Sequence, residues 1–226
     1  MDKRLVGKRV LVTQSKDYMG PATVELFREH GAYVLADESD LRESSAASAV
    51  VDKVGDIDIL VANLAAPANL GTMAHDIDED VWFTMFDVMV HPLHRLFRAV
   101  LPQMYKRREG KIVVYGSATG IKGLEGVAAY SSARAAQIGY IRSVGREAAR
   151  YNVQINLIAQ NFVENEDYFS TEFQETSYFK EIMEKDVPIG RLATAREDAL
   201  FALFLASNES DFFVGQAIAF SGGWAQ

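Results

Sequence analysis

The chain has 226 residues, 49% hydrophobic, 24% charged and 11% aromatic, which excludes intrinsic disorder and collagen-like or low-complexity repeats. Its charge is 23 basic against 31 acidic residues, net −8, a poor match to nucleic acid or an anionic membrane. Cysteine is absent, so disulfides, thiolate catalysis and Cys-ligated metals are excluded.

In chain order, Met1 to Leu5 carries no apolar leader and runs into a strand pattern. Arg9 to Thr13 is a short β-branched strand. Pro21 to His30 reads as a helix, with Val24, Leu26 and Phe27 on one face and Gly31 as its stop. Tyr33 to Ala36 is a second strand ending at Asp37. A helix follows around Ala47, Val50, Val51 and Val54, then a strand from Ile57 to Ala62. Asp80 to Arg107 has a long helical pattern that divides near His91-Pro92. Lys111 to Tyr115 is a strand, Gly126 to Tyr151 a helix, and Gln154 to Ala159 another strand. Residues 162–190 read as irregular and aromatic-rich. Thr194 to Ser207 is an amphipathic helix and Gly215 to Phe220 the last strand.

Strands alternate with helices, and the strands are apolar on both faces. That pattern predicts an α/β fold: one doubly wound parallel sheet, Rossmann-like, with helices on both faces. At about 150 residues per domain, with no linker or repeat, 1–226 reads as a single domain. No apolar run reaches the ~18 residues of a membrane span. The expectation is a soluble, cytoplasmic protein without a signal peptide.

In such sheets the first strand-to-helix turn is Gly-rich, so that backbone amides can approach a pyrophosphate. Here the turn is Thr13-Gln14-Ser15-Lys16-Asp17-Tyr18-Met19-Gly20. Only Gly20 is left, and Gln14 and Tyr18 stand where small residues are needed. The turn reads either as a weak variant dinucleotide site or as one filled by protein. Asp37 reads as a ribose ligand or, more simply, as a solvated strand-end acid.

A second constellation follows the strand 111–115. Ser117 lies at its carboxyl end, where this architecture binds ligands. Tyr130 comes thirteen residues later, and Arg134 four after that, on the same helical face. A phenol has an ordinary pKa near 10, and a nearby permanent cation lowers it. Ser117 can hydrogen-bond the oxygen that Tyr130 deprotonates. The spacing alone equally describes an amphipathic surface pair.

Strand, Ser117, Tyr130 and the four-residue step to a basic residue resemble the short-chain dehydrogenase/reductase superfamily. Two departures set this chain apart. The basic residue is Arg134 where that superfamily has Lys, and the glycine motif is gone. The helix-borne Asn of the reductases is also missing from residues 87–91. With KIVVYGSA (111–118), Ile158 to Asn161, GRLATAREDAL (190–200) and Gly222-Gly223-Trp224, the chain looks like the B-type halohydrin dehalogenases.

That resemblance implies a catalytic triad of Ser117, Tyr130 and Arg134 and no nucleotide cofactor. It implies a halide or nucleophile pocket at Gln160, Asn161, Phe162 and Val163, faced by Tyr18, with Gln160 where many relatives have Pro. Tyr168 and Phe169 would wall the substrate pocket. A haloalcohol or epoxide would be the substrate, a halide or small anion the co-ligand, and a homotetramer the assembly. The alternatives are an NAD(P)-dependent reductase that keeps Tyr130 as the acid, and a non-catalytic relative.

Other residues point elsewhere. His91 and His94 lack an obvious carboxylate or third partner, so helix packing is expected rather than a metal. Lys106-Arg107-Arg108 suits a helix end. Trp82, Phe83, Met85, Phe86 and Met89 read first as core, with a pocket or an interface as the alternative. Trp224 lies near enough to the terminus to reach a neighbouring subunit.

Overall fold

The computed structural model describes residues 3–68 and 70–226. Six strands form one parallel sheet in the order β2-β1-β3-β4-β5-β6. They are β1 Arg9–Val12, β2 Tyr33–Ala36, β3 Ile59–Asn63, β4 Gly110–Ser117, β5 Val153–Gln160 and β6 Ala217–Phe220. The helices are α1 Gly20–Glu29, α2 Ala46–Val54, α3 Glu79–Met89, α4 His91–Arg107, α5 Thr119–Lys122, α6 Ala128–Ala149, α7 Thr171–Glu175, α8 Ser177–Asp186 and α9 Ala195–Ala206.

The period of two along each strand sorts side chains between two cores. Leu11, Leu60, Ile112 and Ile155 turn toward α2, α4 and α6. Val10, Ile59, Val61, Val113 and Ile158 turn toward α1 and α9. Every residue of β3 is buried, as its unbroken apolar run requires. From β1 the chain moves outward to β2, then returns past β1 to β3 and onward. That reversal opens a crevice at the strands' carboxyl ends.

The expected strands and long helices form, with ends shifted by a residue or two. The 80–107 pattern breaks between Met89 and His91, and Pro92 sits in the first turn of α4, where its missing N–H costs nothing. Arg107 ends α4, and Arg108 adopts the left-handed cap conformation.

Three expectations are corrected. Residues 162–190 are not irregular throughout, because they carry α7 and α8. The Ser170 and Thr176 hydroxyls accept from the Phe173 and Phe179 amides and start these helices. Phe179, Met183, Val187 and Leu192 form a separate small core, with Phe162, Phe169 and Phe173 packed on it. Of the aromatic stretch in α3, Met85 and Met89 are buried, but Trp82 and Phe83 are exposed. Trp224 is buried within its own chain, against Phe162 and under the Lys122 ammonium. No helix of the described residues is long and apolar enough to cross a membrane.

Candidate active site

Helix α6 supplies the centre of the site. Tyr130 and Arg134 are one turn apart, and the guanidinium carbon lies 4.9 Å from the Tyr130 ring centroid. This is no surface pair: Tyr130 is 6% exposed and Arg134 2%. Arg134 Nη1 donates to the Leu64 carbonyl at 3.0 Å, the Tyr115 carbonyl at 3.1 Å and Gln137 Oε1 at 3.0 Å. Its Nε is buried without a partner among the described residues. All three recorded acceptors are neutral, and no carboxylate pairs with Arg134 among the described residues. Burial opposes the charge, yet the Tyr130 and Tyr168 oxygens outweigh it and raise its hold on the proton. Gly120 of α5 lets this part of α6 come close. A Cβ there would stand 2.8 Å from the backbone of Arg134 and Ala135.

Three side chains from three elements converge on the loop after β3. Leu64 receives Arg134 from α6. Ala65 is clasped by the Gln14 carboxamide, which accepts from its amide at 2.7 Å and donates to its carbonyl at 3.2 Å. The Ala66 carbonyl receives the Tyr168 hydroxyl at 2.6 Å. Tyr168 in turn lies against Tyr18, with ring centroids 5.4 Å apart. The Tyr168 phenol is pushed far above its ordinary pKa, chiefly by burial and then by the neighbouring Tyr130 oxygen, while Arg134 works the other way. Tyr18 is pushed up to about 12, again chiefly by burial, with Asp167 and Tyr130 adding to it.

The first turn keeps the backbone of a glycine turn without the glycines. Gln14 and Tyr18 both have positive φ, 42° and 49°, a conformation that costs a non-glycine residue about 1 kcal/mol or more. Asn63 at the end of β3 holds the turn by donating to the Gln14 and Asp17 carbonyls, each at 2.9 Å. Gly20 is needed, since a Cβ there would fall 2.3 Å from the Gln14 carbonyl oxygen. Asp37 accepts from the amide and hydroxyl of Ser39 at the exposed strand end.

Ser117 ends β4 in register with Gln160 of β5, so their side chains share a sheet face. Ser117 Oγ is 3.0 Å from Thr119 Oγ1 and accepts from the Thr119 amide at 3.2 Å. It makes no hydrogen bond to Tyr130 or Arg134 among the described residues. The Gln160 Oε1 atom is buried and unpartnered. The loop after β5 offers fewer amides than expected. Asn161 N–H is spent on Phe220 and Phe162 N–H on the Asn161 side chain. Val163 N–H has no protein acceptor among the described residues. Phe162 packs beside Phe169 and Trp224.

Tyr18, Tyr130, Arg134 and Tyr168 thus come together, with Ser117 and the 160–163 loop at the ends of the adjoining strands. One pocket beside Tyr130, lined by Ala68, Ile77, Val81, Met85 and Val127, holds about 10 Å³, room for about one water. A hollow of about 340 Å³ lies behind the loop, at Asn161, Phe162, Arg191 and Phe220. His91 has a carboxylate neighbour after all, Asp87 at 2.8 Å, while His94 pairs with the Tyr140 hydroxyl at 3.0 Å. Sequence reasoning missed the roles of Gln14, Thr119 and Gln137. Only Gln137 carried a signal, its three-residue step from Arg134 on one helix face.

A family model described as enoyl-(acyl carrier protein) reductase matches residues 6–225, and the chain belongs to that family, within the short-chain dehydrogenase/reductase superfamily. It is 32% identical over 245 residues to the 3-oxoacyl-(acyl-carrier-protein) reductase FabG of Vibrio cholerae, covering 97% of this chain and 98% of that one. The Chlamydia muridarum protein of the same name is 30% identical and matched over the whole of both chains. A solved structure titled "Dehalogenation enzyme" superposes with a TM-score of 0.90 at 30% identity, covering 97% of this chain and 99% of that one. The NADPH and L-sorbose complex of L-sorbose reductase from Gluconobacter frateurii shares the fold, with a TM-score of 0.91 at 24% identity, covering 100% and 99% of the two chains.

Proposed function

We propose that this enzyme is a cofactor-independent halohydrin dehalogenase, closing vicinal haloalcohols to epoxides and opening epoxides with azide, cyanide or nitrite. Arg134 carries the reading: a buried guanidinium over Tyr130, held by neutral oxygens and lacking a carboxylate among the described residues. A fixed cation beside a phenol favours the phenolate, and a buried cation without an acid calls for an anion nearby. Tyr130 as phenolate takes the hydroxyl proton of the substrate. The alkoxide oxygen forms a bond to the neighbouring carbon, the carbon–halogen bond breaks, and the halide leaves with the electron pair. Ser117 holds the substrate oxygen. Val163 N–H, Tyr18 and the Phe162 ring edge receive the halide, with Tyr168 and Phe169 as walls.

The superfamily implies a dinucleotide, and the first turn does not fit one. Gln14 is tied to Ala65, and the Tyr18 ring lies on Tyr168, at the positions where glycines would admit a pyrophosphate. The structural neighbour titled as a dehalogenation enzyme supports the same reading. The proposal takes 1–226 as a single domain and the assembly as a homotetramer. The test is chloride release from 1,3-dichloro-2-propanol without nucleotide. Release that is abolished by Tyr130→Phe supports it, and release unchanged by that substitution refutes it. The curated relatives are named as reductases. A clear thermal shift with NADPH, without chloride release, would establish that second reading instead.

A further inference from the structure

Three phenols surround one buried guanidinium, and their hydroxyls are not equivalent. Tyr18 packs on Tyr168 through its ring. Tyr130 lies under Arg134. Tyr168 is attached at its hydroxyl, which donates to the Ala66 carbonyl at 2.6 Å. A phenol has a single O–H, so this bond leaves only the lone pairs of Tyr168 to face Tyr130 and Arg134. The same loop fixes both neighbours: Arg134 grips Leu64 two residues before Ala66, and Ala66 packs in one apolar cluster with Tyr130.

We propose that Tyr168 is a positioning residue for Tyr130, its O–H turning from the Ala66 carbonyl to the Tyr130 oxygen when that oxygen becomes a phenolate. The inference rests on the reading of Tyr130 as the acid–base group. In the neutral state the Tyr168 hydroxyl donates to Ala66, with the Tyr130 oxygen as its neighbour. When Tyr130 gives up its proton, rotation about the Tyr168 C–O bond turns that O–H from the Ala66 carbonyl to the Tyr130 oxygen. No proton leaves Tyr168. When the phenolate takes the substrate proton, the Tyr168 hydroxyl returns to Ala66. Charge-assisted hydrogen bonds are roughly twice as strong as neutral ones, so the turn favours the phenolate.

Burial above all, and the adjacent Tyr130 oxygen next, keep the Tyr168 proton in place beyond the ordinary phenol range. The charged and titratable groups facing the pair are Arg134 from α6 and Tyr18 from the first turn, and Tyr18 is itself faced by Asp17 and Asp167. Arg134 is the one cation among them. Tyr168 adds an O–H whose acceptor can be exchanged.

Tyr168→Phe tests this, since it keeps the ring on Tyr18 and removes only the hydroxyl. In the pH–rate profile of chloride release, the acid limb moves about one unit to higher pH. Near neutral pH kcat falls about ten-fold, while KM changes less than about two-fold, the pattern of a lost transition-state interaction. Rates converge with wild type at alkaline pH. A hydroxyl that served only to fasten the loop would lower activity at all pH values and leave the limb in place, and that result overturns the inference. A second measurement does not need turnover. Tyrosinate absorbance, taken as the difference between each protein and its Tyr130→Phe counterpart, starts at higher pH in Tyr168→Phe. An unmoved onset refutes the role of Tyr168 whatever the substrate. A moved onset without chloride release sustains it and refutes the dehalogenase reading alone.

Discussion

Arg134 and Asp198 are both buried ionisable residues, on opposite faces of the sheet, and they are treated in opposite ways. Arg134, on α6, has three oxygens aimed at one of its nitrogens and phenol oxygens nearby. Asp198, on α9, is 0% exposed, and neither of its oxygens has a partner among the described residues. Tyr115 lies between them. Its carbonyl holds Arg134, while its hydroxyl sits 2.7 Å from Thr23 Oγ1 and its phenol feels Asp198. A buried group keeps its charge only where the fold supplies hydrogen bonds, and otherwise it is neutralised. Arg134 is held as a cation. Burial alone lifts Asp198 to a pKa of about 8, so near neutral pH it is largely a carboxylic acid. The face that serves its charge is the one with the candidate chemistry.

The largest expected effect breaks the Arg134 side. Arg134→Met keeps the volume and removes the cation. Chloride release should fall about 10³-fold, equivalent to roughly 4 kcal/mol in the barrier, with circular dichroism unchanged. Arg134→Lys restores a charge without the planar fork that meets several acceptors and should recover only part of the loss. If Arg134→Met stays within about ten-fold of wild type, the buried cation is structural and the comparison fails.

The next effect concerns Asp198. Folding raises the pKa of this acid, so unfolding releases a proton between the ordinary carboxylate range and about 8. Stability therefore falls as pH rises through that window and levels off above it. Asp198→Asn removes the ionisation and should flatten this dependence. At alkaline pH it should gain about 2 kcal/mol, or about 4–8 °C in Tm for a chain of this size. A parallel pH–stability curve in wild type and variant would show that Asp198 is not the group responsible.

Gln14→Gly comes third. It relieves the left-handed strain at φ 42° but unties Ala65. Two lost hydrogen bonds against one relieved residue predict a net loss of about 1 kcal/mol in thermal unfolding. A gain in stability would mean the clasp is worth less than the strain.

Much of this was legible in the sequence because it is local. The stop at Gly31, the break at His91-Pro92 and the apolar strands each depend on neighbours within a few residues. The step from Tyr130 to Arg134 was legible for the same reason. The clasp of Gln14 on Ala65 spans 51 residues and follows only from β1 lying beside β3. Helices α7 and α8 were hidden because their aromatic residues pack on a separate small core, although the caps Ser170 and Thr176 were a usable signal. The burial of Asp198 had no signal in the sequence. An acid in the first turn of a helix ordinarily serves the dipole in solvent, and here Thr194 and Glu197 form the capping box while Asp198 turns inward.

The smallest expected effect checks that attribution. Arg196 donates to both oxygens of Glu29, at 3.3 and 2.8 Å, and ties α9 to α1 at the surface. Hydrogen bonding by Arg196 lowers the Glu29 pKa, so any stability it contributes is present above the ordinary carboxylate range and fades as pH falls. The direction is opposite to that of Asp198. Solvent screening makes such an exposed pair weak, and Arg196→Gln should change Tm by about 1 °C or less, less still in high salt. If it instead raised stability at alkaline pH as much as Asp198→Asn, the strain would belong to the α1–α9 contact as a whole. An effect confined to low salt and absent at acid pH would leave the buried carboxyl as the source of the alkaline loss.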